Sequence, residues 1–148
     1  NKAKQAIETF DAIDSVDSLR CAQALDKRLA EAKKTLPILL QVKLSQRETQ
    51  SGILPDQLDE TLAGLKALPQ LKLQGLMGIA PDLEPVEAVR PHFQALKALF
   101  DLHFAGRPGA QLSMGMSRDF EIAIEEGSTM VRIGSALFQL NQQQGGQQ

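Results

Sequence analysis

Short β-rich runs alternate with amphipathic stretches along most of the chain, and this order constrains the fold more than any other feature. The clearest strand is the apolar run Ile38–Leu44, which is typical of a strand buried on both faces of a parallel sheet. The clearest helix is predicted over Ser18–Lys34, where apolar residues recur at helical spacing. Strict alternation of strands and helices indicates parallel βαβ construction.

The pattern predicts one α/β domain with five strands, at residues 12–16, 38–44, 71–79, 110–116 and 129–133. A complete TIM-type (β/α)8 barrel needs about 250 residues. The interpretation is therefore a partial barrel over residues 1–140, with about five of the eight β/α units and without the first three strands. A doubly wound sheet is the alternative, but no glycine-rich fingerprint follows a first strand. Residues 141–148, rich in Gln and Gly, are predicted to be disordered.

Charge and hydropathy exclude several kinds of partner. The formal net charge is −2 with both signs scattered, which argues against a nucleic-acid groove or a polybasic membrane patch. No apolar run approaches the roughly 20 residues of a membrane span, and no signal peptide opens the sequence. The single cysteine, Cys21, lies in an apolar helical stripe and cannot form an intramolecular disulfide. These features predict a soluble cytoplasmic protein.

Two segments near the end of the sequence combine a strand, small residues and the start of a helix: Leu112–Ser117 and Val131–Ser135. In β/α barrels, the loops after the last two strands commonly bind phosphate through backbone N–H groups and helix N-termini. Ser117 has two interpretations. Its hydroxyl either caps the helix predicted at residues 118–126 or binds a phosphate oxygen.

Arg132 is the most informative residue of the last predicted strand. Alternation places Val131 and Ile133 on one face and Arg132 on the other, so Arg132 is expected to point into the barrel. A buried guanidinium needs an acceptor, which is either a carboxylate in an internal ion pair or a ligand. The phosphate-type loop that begins at Gly134 favours a ligand.

The segments Ser113–Ile124 and Gly127–Phe138 closely resemble the C-terminal signature of the YggS/PROSC family, which manages intracellular pyridoxal 5′-phosphate (PLP). Shorter matches extend the resemblance over roughly residues 1–138, at Asn1–Lys2, Gln41–Leu44, Ser51–Gly52 and Gly75–Ile79. The resemblance implies a fold like the N-terminal barrel of alanine racemase, with PLP at the C-terminal mouth.

The same resemblance implies roles for particular residues. Ser117 and the backbone of Gly134 and Ser135 would bind the phosphate, and Arg132 would face the pyridine nitrogen. Because arginine stays protonated, it would leave that nitrogen unprotonated, and a cofactor held in this way stabilises carbanions poorly. Met77 and Met114 would line the mouth of the barrel. An ordinary core role is the alternative interpretation for both residues.

The implied function is a non-catalytic PLP-binding protein of vitamin B6 homeostasis, with PLP-dependent apoenzymes as partners and a monomer at full length. The alternative is a PLP-dependent amino-acid racemase, but such a racemase uses a tyrosine as its second base and this sequence has none. A sugar-phosphate barrel enzyme, with Lys43 and Asp82 as its candidates, and a purely structural fragment are further alternatives. His92 and His103 lack companions at metal-ligand spacing, so no metal site is predicted.

The sequence also departs from the family pattern. The lysine that anchors PLP at the end of the family's first strand has no counterpart here. Gln50 replaces the common lysine before Ser51–Gly52, and Gln139 replaces the glycine that usually follows the phenylalanine. A sheet that lacks three strands has open edges, which are expected to favour association.

Overall fold

Five parallel strands form one sheet in the computed structural model, which describes residues 2–134. The order of the strands in the sheet follows their order in the chain. A doubly wound sheet would reverse this order at a switch point, so that alternative is wrong, and the arrangement is a half-barrel. The strands are β1 (Ile13–Val16), β2 (Leu36–Lys43), β3 (Leu71–Ile79), β4 (Gln111–Met116) and β5 (Met130–Arg132).

Each connection between consecutive strands contains a helix. Because parallel crossovers are right-handed as a rule and the strands follow one another in chain order, the helices are expected on one face of the sheet. Two of the helices follow short 3₁₀ turns, at Pro55–Gln57 and Val86–Val89. The helices are α1 (Lys2–Thr9), α2 (Leu19–Ala32), α3 (Leu58–Leu65), α4 (Arg90–Phe104) and α5 (Phe120–Glu125). Within residues 2–134, none of them is long and apolar enough to cross a membrane.

The main core lies between the sheet and the helices, and strand alternation decides which residues enter it. Leu40, Leu76 and Met114 are fully buried there, together with helix residues such as Phe93 and Leu96. The residues next to them in the strands face the concave side of the sheet and are also buried: Leu39, Gln41, Met77 and Ser113. The concave side is thus the more polar one, and it carries the groups that approach Arg132.

The predicted disordered tail at residues 141–148 lies outside the described residues, as does Ser135. The strand prediction at residues 71–79 matches β3 at both ends. The last strand, predicted at residues 129–133, is shorter at both ends, because β5 runs from Met130 to Arg132. Its predicted orientation, with Arg132 on the concave side, is confirmed by the contacts described below.

Candidate functional site

A cavity of about 400 Å³ lies at the carboxyl ends of β3, β4 and β5. Three of the residues predicted to form the site line it together: Ser117, Arg132 and Gly134. Open parallel sheets bind ligands at this edge, because the loops that leave the carboxyl ends of the strands converge there. The structure therefore brings together the residues from both sequence segments that were predicted to bind phosphate.

The side chain of Arg132 reaches across the concave side from β5 to β4 and β3. Its Nη1 donates a hydrogen bond to Ser113 Oγ at 2.5 Å, and its Nη2 donates to the carbonyl oxygen of Gly78 at 3.0 Å. Among residues 2–134, no carboxylate forms an ion pair with Arg132. The internal ion pair considered from the sequence is thus not the arrangement found in the described part of the chain.

The electrostatics of Arg132 favour an additional acceptor. Burial lowers the pKa of its guanidinium from the ordinary value, while the negative charges of Asp14 and Asp119 act in the opposite direction. Arginine nevertheless remains protonated in proteins, because its ordinary pKa is above about 12. The side chain is therefore a partly buried cation whose two described hydrogen-bond acceptors are both neutral.

The loop between β4 and α5 is a tight turn that delays the start of the helix. The backbone N–H of Asp119 donates to the carbonyl oxygen of Met116 at 3.1 Å, and Oδ1 of Asp119 accepts from the N–H of Met116 at 2.8 Å. As a result, α5 begins at Phe120 and Asp119 occupies the position before it. The prediction that Ser117 caps a helix beginning at Arg118 is wrong. Anion binding by Ser117 stays a prediction.

Gly134 borders the cavity beyond the end of β5. Apart from its neighbours in the chain, no atom of residues 2–134 lies within 4 Å of a methyl group built on it. The described part of the chain thus leaves space beside Gly134, and binding of phosphate by its backbone N–H stays a prediction.

The two methionines named from the sequence do not line the cavity. Met114 is fully buried in the core between the sheet and the helices. Met77 is 5% exposed and lies on the concave side, paired in register with Gln41 and Ser113. Both positions match the core role that was the alternative interpretation, and contact with a ligand stays a prediction.

Arg118 was not identified from the sequence, although it lines the cavity. Its guanidinium donates to the carboxylates of Asp82 and Glu84, and to the carbonyl oxygen of Leu83 at 2.6 Å. These contacts join the turn after β4 to the segment after β3. The signal in the sequence was an arginine in the loop after one strand and two acidic residues, Asp82 and Glu84, in the loop after the neighbouring strand.

Ser113 was also missed as a functional residue. It is fully buried in β4 and accepts from Arg132. The available signal was a hydroxyl within an apolar strand that neighbours the strand of Arg132, with alternation placing both side chains on the same face. A buried hydroxyl in such a place is expected to have a polar partner.

Of the other catalytic and metal candidates, Asp82 lines the cavity, whereas Lys43 and the two histidines do not. The carboxylate of Asp82 accepts a hydrogen bond from Arg118, which lines the same cavity. His103 Nε2 lies 3.2 Å from Asp59 Oδ1, next to a separate groove between α3 and α4. Among the residues that the structure describes, no group of three or more His, Cys, Asp or Glu side chains could hold a metal ion.

Comparison with known proteins identifies the family. The model of the alanine racemase N-terminal domain matches residues 1–142. The chain belongs to this family. Among curated proteins, the chain is 40% identical over 142 residues to the pyridoxal phosphate homeostasis protein of Aquifex aeolicus. The alignment covers 93% of this chain and 61% of that protein.

Two further relatives agree with this assignment. The pyridoxal phosphate homeostasis protein of Escherichia coli K12 is 40% identical over 139 residues, which cover 93% of this chain and 59% of the relative. The structure of PipY from Synechococcus elongatus with PLP bound is 36% identical, with a TM-score of 0.81, and the match covers 93% of this chain and 65% of PipY. The predicted resemblance to the PLP homeostasis proteins is thus confirmed. The chain spans about three-fifths of the length of these curated relatives.

Proposed function

We propose that this protein binds PLP and serves in intracellular PLP homeostasis without catalysing a reaction of its own. The observation that carries the proposal is the meeting of Ser117, Gly134 and Arg132 at one cavity, with Arg132 as a cation that has no described carboxylate partner. The names of the curated relatives and the PLP-bound structure of PipY support the choice of this ligand.

The residues at the cavity fit the chemistry of PLP. The hydroxyl of Ser117 and the backbone N–H of Gly134 are donors suited to a phosphate group, and Arg132 is a donor suited to the acceptor nitrogen of the pyridine ring. Apolar walls that include Ile79 and Val86 suit the faces of the ring. The volume of about 400 Å³ falls within the range of about 300–1,000 Å³ typical of small-molecule sites.

Two features support a non-catalytic role. When bound, PLP supplies an electron sink for carbanions, and an arginine at the ring nitrogen weakens that sink because it does not protonate the nitrogen. The curated relatives are also named for PLP homeostasis and not for a reaction. The proposal includes the finer features expected from the sequence: a complete (β/α)8 barrel in the whole protein, a cytoplasmic location and PLP-dependent apoenzymes as recipients.

Binding of PLP to the full protein that contains this sequence tests the proposal. Arg132→Gln is expected to weaken binding by at least about tenfold, since hydrogen bonds to charged groups contribute about 1.5–3 kcal/mol. Ser117→Ala is expected to weaken it through the loss of a phosphate contact. Arg28→Gln is the matched control, because Arg28 forms an ion pair with Glu31 on α2, away from the cavity. Equilibrium dialysis measures the affinity, and thermal unfolding checks that each variant is folded.

Two outcomes would contradict the proposal. If Arg132→Gln and Ser117→Ala retained PLP as well as Arg28→Gln does, the cofactor would bind elsewhere. If the loaded protein exchanged the α-hydrogen of alanine with deuterated water, it would be a racemase rather than a carrier.

A further inference from the structure

We propose that Ser113 is a positioning residue of the PLP site, because its hydroxyl fixes the guanidinium of Arg132 in the orientation that serves the ligand. The inference rests on the proposed function for the identity of the ligand. The hydrogen bonds on which it depends join Arg132 in β5 to Ser113 in β4 and to Gly78 in β3.

Ser113 acts through Arg132 and not on the ligand directly. It is fully buried in β4 and is not among the residues that line the cavity, whereas Arg132 does line it. The distance from Arg132 Nη1 to Ser113 Oγ is 2.5 Å, at the short end for a hydrogen bond from a charged donor. Ser113 thus supports the cationic group of the cavity from the concave face of the sheet.

Two contacts are enough to set the plane of the guanidinium. Ser113 in β4 holds Nη1, and the carbonyl oxygen of Gly78 in β3 holds Nη2. Because the guanidinium is planar and presents five N–H donors, fixing both terminal nitrogens fixes the direction of the remaining donors. The Gly78 acceptor is part of the backbone and cannot be removed by substitution. Ser113 is therefore the contact that an experiment can remove.

The same region provides a control for a purely structural role. The single hydroxyl proton of Ser128 is within hydrogen-bond reach of the carbonyl oxygens of Met114 in β4, at 2.7 Å, and Met130 in β5, at 2.8 Å. Ser128→Ala removes a partly buried hydroxyl beside the same two strands but leaves both acceptors of Arg132 in place. Ser113→Ala removes one of those acceptors without adding volume to the core.

The test compares two probes in the full protein that contains this sequence. Pyridoxine 5′-phosphate carries the ring nitrogen and the phosphate but lacks the aldehyde, so a covalent bond to lysine cannot hide a loss of affinity. Inorganic phosphate carries only the anion. Ser113→Ala is expected to weaken binding of pyridoxine 5′-phosphate by about tenfold, as for the loss of one hydrogen bond to a charged group. Its affinity for inorganic phosphate, and both affinities of Ser128→Ala, are expected to stay within about twofold of wild type.

A ligand-free measurement makes the result independent of the proposed function. Nitrogen-15 NMR of the arginine side chains should show slow rotation of the Arg132 guanidinium in wild type and in Ser128→Ala, and faster rotation in Ser113→Ala. If wild type failed to bind pyridoxine 5′-phosphate, the proposed function would fail while this measurement still decided the role of Ser113. Unchanged rotation in Ser113→Ala would overturn the inference. Equal loss of affinity in both serine variants, or equal loss for both probes in Ser113→Ala, would overturn it as well.

Discussion

Single side chains in this protein take their chemistry from where the fold buries them, and Arg132 is the clearest case. Its inward direction follows from strand alternation, because apolar residues on either side of it face the helices. Its two acceptors come from other strands, far away in the sequence. They depend on how the strands pair, which residue spacing alone does not specify.

Cys21 gives a prediction at the same scale. Burial raises the pKa of its thiol, the negative charge of Asp17 raises it further, and a backbone hydrogen bond at Asp17 partly opposes both effects. Since the thiolate is the reactive form, alkylation of Cys21 by iodoacetamide at neutral pH is expected to be slower in the folded protein than in urea. Its pH profile should have a midpoint above the ordinary thiol pKa. Mass spectrometry follows the reaction, and equal rates in the folded and unfolded chain would contradict the burial argument.

The order and type of the strands and helices were predictable from the sequence, and their exact ends were less so. The strand β3 is bounded as predicted, because Pro69 lies shortly before its first residue and Pro81 shortly after its last. The start of α5 was missed, because the turn formed by Met116 and Asp119 competes with the first helical turn. The cavity was anticipated through Ser117, Arg132 and Gly134. Ser113 and Arg118 were not, since their roles depend on contacts between loops and strands that are distant in sequence.

The close pairing of β3 with β4 leads to a prediction at the scale of these elements. Gly75 is paired with Gln111, and a methyl group on Gly75 would lie 1.7 Å from the carbonyl oxygen of Gln111. Because this obstacle is backbone, Gly75→Ala must displace one strand, and the free energy of unfolding is expected to fall by about 3 kcal/mol. Urea denaturation monitored by circular dichroism measures the change.

The matched control is Gly64→Ala in α3. There the three atoms nearest to the added methyl group all belong to the end of the Leu19 side chain, which can move, and alanine favours helix by about 1 kcal/mol over glycine. Its free energy of unfolding is expected to remain close to that of wild type. If Gly75→Ala were no more destabilising than Gly64→Ala, the strand spacing would be wrong.

The molecule as a whole is a half-barrel with two sheet edges. Within the described residues, β1 pairs only with β2, and β5 pairs only with β4. Edge strands that present unpaired N–H and C=O groups are sites of strand addition by other chains. The full (β/α)8 barrel proposed for the whole protein would pair both of these edges, and a monomer is expected there.

The 148-residue chain on its own is therefore expected to self-associate. Sedimentation velocity over a range of protein concentrations should show a growing share of larger species. The longer protein proposed to contain this sequence is the control, and it should sediment as one species at every concentration. A single monomeric boundary for the isolated chain at all concentrations would show that its edges are already protected.

The hydrogen bonds of Arg132 connect β5 to β4 and β3, so they couple ligand binding to the stability of β5. With only three residues, β5 is the shortest strand of the sheet, and one side chain connects it to two neighbours. A ligand that binds Arg132 only while β5 is paired with β4 stabilises the paired state by the free energy of binding. Fraying of β5 and release of the ligand are then thermodynamically linked. Amide hydrogen exchange in β5 is therefore expected to slow when a ligand occupies the cavity that Arg132 lines.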